Sequence, residues 1–167
     1  ASSALIWPMR VEQQLAGQAR QTWQNGLQAA SAMLGGEDEA RKGLLDSLGR
    51  IVAMRLAEAG CSVGVCGRNA PDDLPAGVTF HAADIRDPEQ AQAFVAAVAE
   101  AHGRLDVLVN NAGGSPKVDA ANASPRFFDS ILKLNLHAAM YMAQAAYAPM
   151  KACGGGSVVN IASVSGI

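Results

Sequence analysis

The stretch Leu105-Asp106-Val107-Leu108-Val109-Asn110-Asn111-Ala112-Gly113-Gly114 narrows the choice of fold more than any other part of this chain. Leu105, Val107, Leu108 and Val109 form an apolar run too short for a helix, and it stops at Asn-Asn-Ala-Gly, so it reads as a strand buried on both faces. Such strands belong to parallel sheets covered by helices. Ligands of open parallel sheets bind in the crevice beyond the carboxyl ends of the strands, where the two amides and the Ala-Gly pair fall. Backbone without bulk admits a flat ring or a ribose at close range, and amides both donate and accept hydrogen bonds. For this motif in isolation, an ordinary strand-to-loop turn is the alternative.

The neighbouring segments alternate in the way a parallel sheet requires. Ser62 to Cys66 is a short strand ending at Gly67-Arg68-Asn69, and Pro71 to Gly77 is a loop. Val78 to His81 is a strand delivered to Ala83-Asp84-Ile85-Arg86-Asp87. Asp87-Pro88 starts a helix with a capping carboxylate and a proline at the first position, and that helix runs to about His102 with Phe94, Val95 and Val98 inward. Ser124-Pro125 starts the next helix by the same chemistry. It carries Phe128, Ile131, Leu132, Leu134, Leu136, Met140 and Tyr141 and is expected to end at Pro149 and the glycines 154 to 156. A last strand, Ser157 to Ile161, leads to Ala162-Ser163-Val164-Ser165-Gly166-Ile167. Alternating β and α units of this length imply a parallel sheet with helices on both faces.

The amino-terminal part has another character. Residues 9 to 34 place Val11, Leu15, Ala19, Trp23, Leu27, Ala30 and Leu34 at helical spacing, an amphipathic helix that buries its stripe on the domain or on a second copy, or else binds a partner. A second helical pattern follows from Glu37, with Leu44, Leu45, Leu48, Ile51, Val52 and Leu56 apolar, and closes at Ala59-Gly60. The domain division expected is therefore 1–43, an atypical helical segment, and 44–167, a partial Rossmann-type doubly wound α/β domain.

Composition sets outer bounds. At 167 residues and a net charge of −2, the chain is long enough for one core and carries no electrostatic footprint for nucleic acid. Cys61, Cys66 and Cys153 are odd in number and lack metal-ligand spacing, so reduced thiols and a cytoplasmic location are expected, with Cys61 and Cys66 acting as small buried hydrophobes. The stretch from Leu134 to Met150 is interrupted by Asn135, His137, Gln144 and Pro149, so it reads as a buried or interface helix rather than a membrane span, and Ile131 to Tyr147 is apolar enough to suggest the interface of a homo-oligomer.

Asn110-Asn111-Ala112-Gly113, then Lys133-Leu134-Asn135-Leu136, then Gly156 to Gly166 resemble, in order, type and spacing, the short-chain dehydrogenase/reductase family. The resemblance runs from about Leu48 to Ile167. It implies hydride transfer between NADP(H) and a small carbonyl or alcohol substrate. Asp84 and Ile85 would face the adenine, and Asn111, Ala112 and Gly113 would line the adenosine side. Asn135 would hold a water in the proton relay, and Ser163 would orient the substrate. Arg68 and Asn69 stand where an acidic residue would hold an adenine-ribose diol; an arginine there suits a 2′-phosphate and favours NADP over NAD, a solvent-exposed loop arginine being the competing reading. For Asp84 the competing reading is a helix-start carboxylate.

Two family features depart from the pattern. The glycine-rich phosphate loop is altered: Leu48-Gly49-Arg50 fits its end, with Gly49 as the cofactor-facing glycine, but Ser47 replaces the middle glycine and residues 37–41 favour helix where an apolar strand belongs. Ser3 to Trp7 could supply that strand through an unusual connection, sparing the sheet two unpaired inner edges. The tyrosine and lysine of the family's proton transfer normally follow the serine, and only four residues follow Ser163. Tyr147-Ala148-Pro149-Met150-Lys151 fits the spacing, but it precedes Ser163, and its proline is expected to break the i to i+4 geometry. The chain alone is therefore expected to be inactive, as a truncated family member. A non-catalytic dinucleotide-binding or oligomerising protein is the alternative.

Overall fold

The computed structural model describes residues 4–7, 38–71 and 73–162; the amphipathic segment 9–34 and Ser163 lie outside the described residues. The elements are β1 (Ala4–Trp7), α1 (Asp38–Glu58), β2 (Val63–Gly67), β3 (Val78–Ala82), α2 (Pro88–His102), β4 (Val107–Asn110), a 3-10 turn (Ala120–Asn122), α3 (Pro125–Leu132), a π turn (Lys133–His137), α4 (Ala138–Ala152) and β5 (Ser157–Asn160). They build a five-stranded sheet in the order β3-β2-β1-β4-β5.

The side chains of β2 and β4 alternate between two cores, as the period of a strand demands. Cys66 and Leu108 face α2 and α4, together with Phe94, Val95, Val98, Met142, Ala146 and Met150. Val63, Val65 and Val109 face α1 on the other side, with Ala53, Cys61 and Val78. Both buried cysteines thus pack as hydrophobes. At Gly64 a Cβ would lie 2.6 Å from a methyl of Val98, so the glycine is what lets α2 approach β2.

The local rules that start the helices hold. Asp87 accepts from the backbone N–H groups of Glu89 and Gln90 and caps α2, while Ser124 accepts from the N–H of Phe127 and caps α3. Pro149 does not end its helix as expected: α4 continues through it to Ala152. A proline removes one donor, but the following residues can still donate, and buried Met142, Ala146 and Met150, four residues apart, hold the last turns against the core.

The inner strand is the unexpected element. β1 lies between β2 and β4 and is antiparallel to both, whereas β2–β3 and β4–β5 are parallel pairs. Ala4 stands opposite Cys66 and Asn110, so the amino end of β1 lies on the edge where the other strands have their carboxyl ends. The carboxyl end of β1, Trp7, is paired with Val107 at the far edge. Of the segment Ser3 to Trp7, the described part, Ala4–Trp7, does close the sheet, in reversed direction.

Candidate functional site at the carboxyl edge of the sheet

Four parallel strands deliver their following loops to one edge. Arg68 and Asn69 follow β2 and are exposed; Asp84 and Ile85 follow β3; Asn111, Ala112 and Gly113 follow β4. Ile85 is buried among Ala83, Phe94 and Leu105, so its side chain fills the core beneath this edge. Asn110 ties the edge together: its Nδ2 donates to Asn160 Oδ1 at 2.8 Å and to the Ala139 carbonyl at 3.4 Å, linking β4 to β5 and α4.

Asn135 sits in the π turn and reaches across to the loop after β4. Its Oδ1 accepts from the Gly114 N–H at 2.9 Å, and its Nδ2 donates to the Gly114 carbonyl and the Ile131 carbonyl, each at 2.9 Å. Both amide protons are thereby used, and one lone pair of Oδ1 is left for a further partner. A Cβ on Gly113 would lie 2.9 Å from that same Oδ1, and Gly114 has φ +145°, so both glycines are needed for the clamp to close.

Asp84 is held by Arg86. Nε of Arg86 donates to Oδ1 at 2.8 Å and to Oδ2 at 3.1 Å, Nη2 donates to Oδ2, and the Arg86 N–H donates to Oδ1 at 3.1 Å. The Asp84 N–H donates to Gln90 Oε1 at 2.9 Å, and Gln90 Nε2 donates to Asp87 Oδ2 at 3.0 Å. The ion pair is thus anchored to the capped start of α2. On one side of it lies a cavity of about 50 Å³ lined by Arg68, Ala83, Asp84, Ile85, Arg86 and Leu134. On the other is an open cleft of about 320 Å³ lined by Asp84, Arg86, Asp87, Gln90, Ser130 and Lys133.

The hydrogen bonds from Arg86 hold the Asp84 carboxyl below its ordinary value of 3.8. A carboxylate with a lowered folded-state pKa contributes stability that is complete above the ordinary value and lost as pH falls through the lower one. Asp84→Asn should therefore lower the thermal midpoint at neutral pH by the equivalent of about 1 kcal/mol, a partly exposed pair being worth no more. The difference from the parent should vanish on titrating from about pH 5 to about pH 2; a difference that stays constant with pH would refute the linkage.

Gly49 needs correction. It lies buried in the interior of α1, which begins at Asp38, and not in a turn opening a helix. Eleven residues of helix, about 16 Å at about 1.5 Å per residue, separate it from the helix start, so its backbone cannot form the expected phosphate cradle. The physical reason is local: the sequence from Asp38 to Lys42 favours helix over a buried strand, and α1 runs on from it through Gly49. The proline of Tyr147-Ala148-Pro149-Met150-Lys151 does not break the i to i+4 geometry. Because α4 passes through Pro149, Tyr147 and Lys151 do share a face, with Lys151 Nζ 5.7 Å from the Tyr147 ring centroid. Tyr147 is 64% exposed on the outside of the helix.

The sequence and the fold are matched elsewhere. A family profile described as short chain dehydrogenase covers residues 42–167. The chain belongs to the short-chain dehydrogenase family. Among curated members, this short-chain dehydrogenase is 32% identical to the D-beta-hydroxybutyrate dehydrogenase of Rhizobium meliloti (strain 1021) over 136 residues, 75% of this chain and 53% of that enzyme. Among solved structures, NADH-dependent reductase A1-R′ complexed with NAD superposes with a TM-score of 0.64 at 28% identity, over 70% of this chain and 55% of that one. ElxO with NADP bound gives 0.52 at 30% identity, over 54% and 37%. The chain spans about half the length of the curated relatives it matches. Of these two neighbours, one holds NAD and the other NADP. No helix among the described residues is long and apolar enough to cross a membrane.

Arg86 escaped the sequence reading. The signal was the spacing Asp84-x-Arg86, which in a loop after a strand lets a guanidinium fold back on a carboxylate two residues earlier.

Proposed function

We propose that these residues form the adenosine-binding half of an oxidoreductase that moves hydride between NADP(H) and a small carbonyl or alcohol, residues 44–167 being the binding unit and 1–43 an addition to it. The observation that carries this is the Asn135 amide locking Gly113-Gly114 at the switch point of the sheet, which keeps a flat, side-chain-free surface open beside β4. Asn111, Ala112 and Gly113 would line the adenosine, with Asp84 and Ile85 at its outer end and Arg68 and Asn69 at the ribose. The residues present fit that end of a dinucleotide. At the pyrophosphate, the interior position of Gly49 in α1 supplies no cradle.

When bound, the nicotinamide would accept or give the hydride. Asn135 would hold a relay water through its remaining Oδ1 lone pair, and Ser163 would orient the substrate oxygen. The chain's two tyrosines are Tyr141 and Tyr147, both in α4, and the outward-facing Tyr147–Lys151 pair is no acid/base for this edge. The 167-residue chain should accordingly bind NADP and oxidise no simple alcohol. Calorimetric titration with NADP and with NAD, repeated on Asp84→Ala, tests this: NADP affinity that falls about tenfold in the variant supports the site, and absence of affinity for either dinucleotide refutes it. Alcohol oxidation abolished by Ser163→Ala would overturn the expected inactivity.

A second reading is favoured by one observation: Phe128, Leu132, Leu136 and Met140, four residues apart, are each at least 50% exposed along α3, the π turn and α4. Such a stripe is suited to self-association. Concentration-dependent mass in the ultracentrifuge without dinucleotide affinity would favour that reading over the first.

A further inference from the structure

We propose that the amphipathic segment 9–34 folds back along α1 as an antiparallel helical hairpin and lays its stripe, Val11, Leu15, Ala19, Trp23 and Leu27, over the face of β4 and β5 beside α1. The inference goes beyond the dinucleotide reading and does not depend on it. The two faces of the sheet are covered differently. On one, α2 and α4 pack over Cys66 and Leu108. On the other, α1 lies over β1, β2 and β3, and the same face runs on through Val107 and Val109 of β4 to Val159 and Ile161 at β5. Val109 is buried, whereas Val107, Val159 and Ile161 are only half-buried, leaving apolar surface for a second helix to take from water. β4 stands two strands from β2, or about 10 Å at about 4.8 Å per strand. Packed helices stand about 8–10 Å apart, so one helix fits there with α1 as its neighbour.

The described residues on either side of the segment fix where its two ends lie. Ile6 stands opposite Gly64, which sets Trp7 level with Val63 at the start of β2. α1 finishes at the same edge, the Leu56 carbonyl accepting from the Cys61 N–H at 3.1 Å just before β2 begins. The segment therefore starts beside the end of α1. Its last residue, Leu34, is four steps along the chain from Asp38, where α1 starts, a reach of at most about 14 Å. A helix over residues 9–34 would be about 39 Å long and α1 is about 31 Å, so the two match as a hairpin closed through Gly35-Gly36-Glu37, a loop length ordinary for antiparallel helices. The flank of α1 that receives it follows from Arg50, which bonds Asp73 in the loop before β3. Leu48 and Val52 are each about 200° around the helix from Arg50, and so turn toward β4. The exposed stripe of Phe128, Leu132, Leu136 and Met140 runs along α3 and into α4, on the opposite side of the sheet, away from a segment tied to Asp38. Tethered so closely to α1, the segment meets this surface at an effective concentration that a free second copy does not reach.

The test is cross-linking of the full chain with a short bismaleimide in a Cys153→Ser background, the other two cysteines, Cys61 and Cys66, being buried. Leu15→Cys combined with Val159→Cys should link within one chain, while Leu15→Cys combined with Leu136→Cys, on the opposite side of the sheet, should not. Thermal denaturation supplies a second readout. Leu27→Asp should lower the midpoint by roughly 5 °C or more, because it sets a carboxylate into an apolar contact. Gln21→Asp, on the polar side of the same segment, should stay within about 2 °C of the parent. A link formed only between chains would assign the surface to the segment of a second copy and overturn the proposal. Linking to position 136 in place of 159, or to neither, would overturn it too, as would equal midpoints for Leu27→Asp and Gln21→Asp. Should Leu27→Asp fail to fold, the cross-link decides alone.

Discussion

Ile6→Pro should cost at least about 3 kcal/mol, a large part of the roughly 5–15 kcal/mol that holds a domain of ordinary stability together. Ile6 is paired with Gly64 on one side and Leu108 on the other. A strand with a neighbour on each side directs every N–H into one ladder or the other, so proline removes a sheet bond wherever that N–H points, and its ring separates the strands. The acceptor left behind lies inside the sheet and loses its partner without gaining water, which alone costs about 1–3 kcal/mol. Among the described residues, β1 is also the strand that hydrogen-bonds the parallel pair β2–β3 to the pair β4–β5. Weakening it releases two sheet fragments and opens two inner edges at once. Urea denaturation followed by far-UV circular dichroism should show the midpoint collapsing or cooperativity lost, while Leu74→Pro, in the exposed loop before β3, moves it far less. A midpoint unchanged in Ile6→Pro would mean that Ala4–Trp7 is not the inner strand.

The direction of β1 was the part of the fold that sequence could not reveal. An apolar run of four residues has the same period read either way, and orientation is set by where the chain leaves the sheet, a property of the connection. The capping residues, by contrast, carry direction in themselves. Asp87 and Ser124, each followed by proline, carry the chemistry that favours a helix start over a helix end, and both begin one. The buried strand around Leu108 was legible because continuous apolar runs of that length have few other uses. Glycine was less readable: Gly49 looked like the end of a phosphate loop, yet a glycine inside a helix and one in a turn are the same letter. Asn135 and Gly113 stood out in the sequence because the spacing of their motifs resembles the family, whereas the hydrogen bonds of Asn135 to Gly114 left no sign there. The site was obscure at Arg86 because an exposed-looking arginine two residues from an aspartate gives no sign of whether the two side chains meet.

Asn135→Ala should destabilise the chain by about 2 kcal/mol, three hydrogen bonds at about 1 kcal/mol each being discounted for the residue's exposure, and should weaken NADP and NAD by a similar factor of about ten. The amide is the one side chain that grips both the N–H and the carbonyl of Gly114 while also bonding Ile131 in its own helix. Removing it frees the loop after β4 from the π turn, and the ordering of that loop must then be supplied by the ligand. Gly113→Ala attacks the same contact from the other side, because a Cβ placed 2.9 Å from Oδ1 forces the amide away from Gly114. If the two act through one clamp, their effects cannot add: the double variant should cost less than the two single variants together by about 1 kcal/mol, read from a cycle of four denaturation curves. Asn135→Asp keeps the acceptor and loses both donors, so it should fall between parent and alanine. The NADP/NAD ratio should stay constant across all of these, since the clamp shapes the surface common to both cofactors, while substitution at Arg68 should change the ratio. An additive cycle, or a ratio that moves with Asn135, would mean that the amide and the glycine serve separate purposes and that the surface beside β4 is not what binds.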